Sequence, residues 1–288
     1  MAQLDLRPLS LGEILDRTFS LYRRHFVLFL GITAFPNLLV LAFNLVQTMV
    51  MQLPVAPVRE PAEQLQSRGS GGLFALGFGG AIIALLIYWV VYLFAQGGTV
   101  YAVGELYLGR STSVGASLGR VRSQIFSLMG VTLLNALAVM GATIFLIIPG
   151  IYVACRLITC VPAALLEDLG PSSSLERSFK LTKGYAGRSF VIFVLYVIML
   201  YAAVLLFSGP FLFMAGLSLK EPGAMRTWFA LAQVGQVIAA ILVGPFLTIA
   251  TAVFYYDLRV RKEGFDLQLM MNPSGSPSQP AGLPTLRS

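Results

Sequence analysis

Apolar residues run through this chain in long blocks, broken by short polar stretches rather than alternating with them. A membrane-crossing helix needs about 20 consecutive apolar residues, and six blocks are candidates: Phe26–Met51, Leu73–Val103, Phe126–Ile148, Ile151–Leu166, Phe190–Phe207 and Trp228–Tyr255. The fourth is short. The fifth has an apolar continuation after Gly209–Pro210, and only Pro149–Gly150 separates the third from the fourth, which predicts a tight helical hairpin at that dipeptide. The pattern predicts an all-α, polytopic membrane bundle over residues 1–271. The Pro/Ser/Gly-rich tail Asn272–Ser288 reads as disordered, and Leu53–Gly71, with its prolines and Gly-Ser run, reads as an outer loop.

A second pattern precedes the first, third and fifth blocks. Each is led by a serine start and an amphipathic stretch carrying basic residues: SLGEILDRTFSLYRRHF, SVGASLGRVRSQIF and SSSLERSFKLTKGYAGRSF. Ser10 with Glu13, and Ser173 with Glu176, fit capping boxes, and Leu9 with Ile14 fits a hydrophobic staple. Leu11, Ile14, Thr18, Tyr22 and Phe26 follow helical spacing, as do Val114, Leu118, Val121 and Ile125. Each segment contains Leu-x-Arg, at Leu15–Arg17, Leu118–Arg120 and Leu175–Arg177. Three interfacial helices are expected, with Arg17, Arg23, Arg24, Arg120, Arg122, Arg177, Lys180 and Lys183 toward lipid headgroups. The plainer alternative is that these are loops whose charges only set topology. Coincident caps, spacing and bases favour the helices.

Composition sharpens the class. Hydrophobic residues make up 57% and charged residues only 11%, against about 25% charged in ordinary soluble domains. The net charge of +7 would suggest nucleic acid in a soluble chain, but here it reads as cations facing an anionic leaflet. Membrane lipids are the expected partners, with a membrane-protein partner possible in principle and nucleic acid not expected. Lysine and arginine cluster on one side of the threading, leaving only Arg59, Arg68, Lys220 and Arg226 on the other. The positive-inside bias makes the richer side cytoplasmic, and an even number of spans puts both termini there. The expected location is a bacterial cytoplasmic membrane.

The opening LRPLSLGEILDRTFSLYRRHF resembles the start of the glycerophosphoryl diester phosphodiesterase membrane-domain family of bacterial proteins. The central IIPGIYVACRLITCVPAALLEDLGPSSSLERSFKLTKG and the closing FYYDLRVRKEGFDLQLM are similar to that family too, in the same order. The resemblance covers nearly the whole chain apart from the outer loop and the tail. It implies an integral membrane helical domain, which in some members is joined to a soluble phosphodiesterase domain and in others stands alone. The biochemical role of the family is poorly defined.

The chemistry of a phosphodiesterase is not legible. The sole histidine, His25, lies among basic and aromatic residues at a span entrance and reads as interfacial rather than catalytic. Glu13 and Asp16 share a helix face without a second ligand cluster, and Cys155 and Cys160 are five apart, too far round a helix to chelate together. Phosphate-binding loops, dinucleotide fingerprints and nucleophile elbows are missing from the sequence. No cofactor, metal or enzymatic activity is expected.

One full charge falls inside an apolar block. Arg156 lies between Ile147 and Leu166, where insertion costs roughly 2.5–3.5 kcal/mol. At about 1.5 Å per residue it would lie roughly 16 Å from the boundary at Glu167. Asn37 and Asn135 fall at comparable depth, and Pro245 frees the carbonyl of Ile241 nearby. Two readings stand: a midplane polar cavity that accepts an anionic group, or interhelical glue. The expected function is a non-catalytic, lipid-interacting or accessory membrane domain. The alternative is a transporter or translocator of an anionic lipid or solute that uses Arg156.

Overall fold

The computed structural model describes residues 7–50, 70–107 and 109–264, all of whose regular structure is helical. The tail singled out above and the outer loop as far as residue 69 lie outside the described residues, while Ser70 and Gly71, expected in that loop, begin a helix. In chain order the helices are α1 (Leu11–Arg24), α2 (Phe26–Val50), α3 (Ser70–Tyr107), α4 (Val114–Arg122), α5 (Ile125–Phe145), α6 (Ile147–Arg156), α7 (Cys160–Leu166), α8 (Pro171–Thr182), α9 (Ala186–Leu217) and α10 (Pro222–Glu263). The expected all-α bundle stands. Six segments are long and apolar enough to cross a membrane: Phe26–Val46, Ile82–Tyr107, Ile125–Phe145, Ile147–Leu166, Ala186–Leu217 and Gly223–Glu263. The protein is a multi-pass membrane protein. The ninth helix takes in the apolar continuation after Gly209–Pro210, and the tenth runs well past both predicted ends because its polar flanks keep helical geometry.

The chain divides into two compact units. One comprises residues 1–29, 96–196 and 245–288; the other comprises 30–95 and 197–244. The second unit shows how apolar helices pack without hydrophobic drive: small residues let backbones approach. A Cβ on Gly235 would run into the Phe207 carbonyl, and Ser208 Oγ donates to the Ala232 carbonyl at 2.9 Å. The carbonyl freed by Pro245 is met, at a long 3.5 Å, by the Thr33 hydroxyl.

The first unit is built around the end of α10. Residues 245, 246 and 249–258 are all buried, with Tyr255, Phe254 and Phe246 among the largest enclosed side chains. A helix buried on every side must satisfy its polar groups internally, and that demand organises the site below.

The hairpin between α5 and α6 forms, but not at Pro149–Gly150. The link is the single extended residue Leu146, and the dipeptide lies inside the first turn of α6. Proline suits that turn because its missing N–H would have no helical partner there. Gly150 is needed for approach, since a Cβ there would meet Thr143, including its Cα at 2.9 Å.

Candidate functional site

The fourth span is broken. Pro162 sits in the first turn of α7, where its ring would clash with the Ile158 carbonyl were α6 to continue. The chain instead turns at Leu157–Thr159, and Cys160 N donates to the Leu157 carbonyl at 3.0 Å rather than to Arg156. The Arg156 carbonyl, left without a helical partner, is met by Ser178 Oγ at 2.8 Å and Thr182 Oγ1 at 2.9 Å. Ser178 also pairs with Thr159 Oγ1 at 2.9 Å. Ser174, Ser178 and Thr182 recur every fourth residue and are fully buried. They form a hydroxyl stripe along α8 that docks the break.

The Arg156 side chain follows its carbonyl. Its Nε donates to Thr182 Oγ1 at 3.1 Å, one terminal nitrogen to Tyr152 Oη at 2.8 Å, and the other to the Phe179 carbonyl at 2.5 Å. The guanidinium also lies 5.1 Å from the Phe179 ring centroid and 5.7 Å from that of Tyr152. The expected partners of Arg156 are therefore corrected. Asn37 donates to the Thr33 carbonyl of its own helix at 2.8 Å, and Asn135 Oδ1 is buried without a hydrogen-bond partner among the described residues. The helix between Arg156 and Glu167 is interrupted, so the chain there does not rise at the constant rate of one helix.

Lys262, at the end of α10, reaches the same turn of α8. Its Nζ donates to the Lys180 carbonyl at 2.7 Å and the Lys183 carbonyl at 3.0 Å. The last carbonyls of α8, which have no helical donors, are thus held by cations from two distant helices, as the negative end of the helix dipole favours.

Two ion networks surround this turn. In one, Arg177 on α8 grips Glu167 through Nε at 2.8 Å and also pairs with Glu263. Arg259 pairs with Glu263 at 3.2 Å, and Tyr255 Oη donates to Glu167 at 2.5 Å. Burial works against the Arg177 charge, but its bonds to Glu263 and Glu167 outweigh that and raise its pKa. In the other, Asp257, only 1% exposed, accepts from Leu9 N at 2.7 Å and from Arg261 Nε at 2.9 Å, with Arg188 at 3.6 Å. Arg188 and Arg261 both donate to the Leu9 carbonyl. Leu9 is thereby clamped through both backbone groups. Asp257 pairs with Arg261 one turn on along α10, while Arg259 turns to glutamates.

The basic residues expected to face headgroups separate into two groups. Arg23, Arg24, Arg120, Arg122, Lys180 and Lys183 are exposed; Lys180 pairs along its helix with Glu176 at 2.6 Å. Arg17 and Arg177 depart from the expectation. Arg17 donates to Tyr107 Oη at 2.8 Å, beneath a Tyr107–Tyr256 stack with centroids 4.8 Å apart, and Arg177 is spent on glutamates. Their Leu-x-Arg motif marks an inward-turned arginine in two of its three copies. The caps also differ. Ser10 and Glu13 close the expected box, and the Ser10 backbone N–H, then its hydroxyl, hold the Glu13 carboxyl below its ordinary range, with Arg7 adding to it. Ser113 caps α4. Ser173 and Glu176 form no cap, because α8 starts earlier, with Gly170 as its N-cap and Pro171 in its first turn.

Asp168 holds a left-handed φ of 53° just past α7, where Leu169 N reaches back to the Ala164 carbonyl at 3.1 Å. Its carboxylate accepts from Gln124 Nε2, and Gln124 Oε1 accepts from Tyr101 Oη at 2.5 Å. That chain pins the start of α5 to the end of α7. Among the described residues no group of three His, Cys, Asp or Glu side chains could hold a metal ion. No family model, curated protein or solved structure matches the chain.

Proposed function

We propose that this protein is a non-catalytic accessory domain of a bacterial cytoplasmic membrane that binds anionic lipid, with both termini on the cytoplasmic side. The observation that carries the reading is the placement of cations. Arg23 and Arg24 end α1, Arg120 and Arg122 end α4, and all four are exposed on short helices that directly precede apolar spans. Basic residues at such positions attract anionic headgroups by about 1 kcal/mol each. The carboxylates of the first unit are engaged as counter-ions to arginines, at Glu167, Glu263 and Asp257. That is the work of a scaffold rather than of acid–base chemistry. The resemblance to the glycerophosphoryl diester phosphodiesterase membrane-domain family agrees with this reading, and an accessory role beside a membrane-protein partner fits it.

The transporter alternative rests on Arg156 and on the prolines Pro36, Pro162 and Pro245 within the spans; with three of the Arg156 N–H donors engaged by Thr182, Tyr152 and Phe179, we favour the accessory reading.

The test is thermal unfolding of the full-length chain in nanodiscs. Phosphatidylglycerol should raise the unfolding midpoint over phosphatidylcholine alone, through binding to the folded state. The gain should shrink with added salt and in a variant carrying R23Q, R24Q, R120Q and R122Q. Equal midpoints in the two lipids, or solute flux in reconstituted vesicles, would refute the proposal.

A further inference from the structure

The last turn of α8 gathers three cations, Arg156, Lys183 and Lys262, that form no ion pair among the described residues. Elsewhere in this unit Arg177 and Arg259 have Glu167 and Glu263, Arg188 and Arg261 have Asp257, the exposed Arg110 has Glu105 at 3.6 Å, and Arg17 meets the Tyr107 hydroxyl. The proximity of Arg156, Lys183 and Lys262 is fixed by shared partners. Arg156 binds the Phe179 carbonyl and the Thr182 hydroxyl, and Lys262 binds the carbonyls of Lys180 and Lys183. Glu263, beside Lys262 in the chain, is already held by Arg177 and Arg259.

Helix capping explains part of this arrangement. A helix C-terminus offers roughly half a negative charge, whereas three full cations converge here. Donors also remain. A guanidinium has five N–H groups and an ammonium three, so Arg156 keeps two, Lys262 one, and the exposed Lys183 ammonium all of its own. Uncommitted donors on neighbouring cations are what an oxyanion requires.

We infer that Arg156, Lys183 and Lys262 form a discrete site for a phosphate group at the end of α8. This rests on, and narrows, the lipid-binding reading above. Phosphate could come from a lipid headgroup or from solution. The lipid source has its own support: Tyr152, whose hydroxyl meets Arg156, is 52% exposed, and Ile151 beside it is 44% exposed. An acyl chain can lie along that side of α6 while its phosphate meets the cations.

The experiment is native mass spectrometry of the delipidated full-length protein, titrated with phosphatidylglycerol or phosphatidylcholine, together with thermal unfolding in inorganic phosphate. Phosphatidylglycerol should bind as one tight equivalent. Lys183→Gln leaves every hydrogen bond of the turn in place and should weaken that equivalent by about fivefold. Adding Lys262→Gln should weaken it further, and Lys183→Arg should restore it. Lys220→Gln, in the turn between α9 and α10, should leave it unchanged. Stabilisation by inorganic phosphate that Lys183→Gln abolishes, without tight lipid, would keep the phosphate site and assign it to a soluble ligand. If Lys183→Gln and Lys262→Gln change neither lipid nor phosphate binding, the site is refuted, even where the R23Q/R24Q/R120Q/R122Q variant shows lipid stabilisation.

Discussion

Asp257 shows how much one side chain can carry in this molecule. It has no exposed side-chain surface, and it answers a backbone N–H of Leu9 and two arginines that also bind the Leu9 carbonyl. Removing it would orphan a buried donor and leave Arg188 and Arg261 without a counter-ion. Asp257→Ala should therefore cost about 3 kcal/mol, seen as a lower unfolding midpoint in detergent. Asp257→Asn keeps an acceptor for Leu9 and should cost less. Equal losses for the two would show that charge, not the hydrogen bond to Leu9, is what matters. An ion pair at this site was legible in the sequence, because Asp257 and Arg261 stand four apart on a helix. The clamp on Leu9 was not, since 248 residues separate the partners and no local rule connects them.

At the level of helices, the interrupted fourth span and the close α5–α6 hairpin decide where the polar groups go. Gly150 and Gly141 make a direct comparison within that hairpin. A Cβ on Gly150 would press on the Thr143 backbone, which no rotamer change relieves, whereas one on Gly141 meets nothing within 4 Å. Gly150→Ala should cost about 1–3 kcal/mol by overpacking, and Gly141→Ala no more than about 1 kcal/mol in either direction, as measured by thermal unfolding. A Gly150→Ala variant as stable as the parent would mean that the hairpin yields easily. Helix existence was readable from apolar length throughout. The break at Leu157–Thr159 was signalled by Pro162 and, less obviously, by the hydroxyls of Ser174, Ser178 and Thr182, one every fourth residue. The basic residues of α8 drew the eye to its other face.

For the molecule as a whole, the six candidate spans predict both termini on one side of the membrane. With the basic flanks cytoplasmic, a fluorescent protein fused after Ser288 should fold and fluoresce, and alkaline phosphatase inserted between residues 53 and 69 should be active. The reverse pattern would invert the threading, and opposite behaviour of the two termini would remove one span. Apolar length, helical character and charge asymmetry are additive along the chain: each residue contributes its own transfer free energy or its own charge, so a running sum over the sequence was enough to establish them. Which arginine turns inward and which stays exposed is not additive. Arg17 and Arg120 share the same Leu-x-Arg context, yet one meets Tyr107 and the other remains exposed. The outcome depended on which helix end folded against each, and in an interior that leaves buried polar groups few partners, only the assembled packing could make that choice.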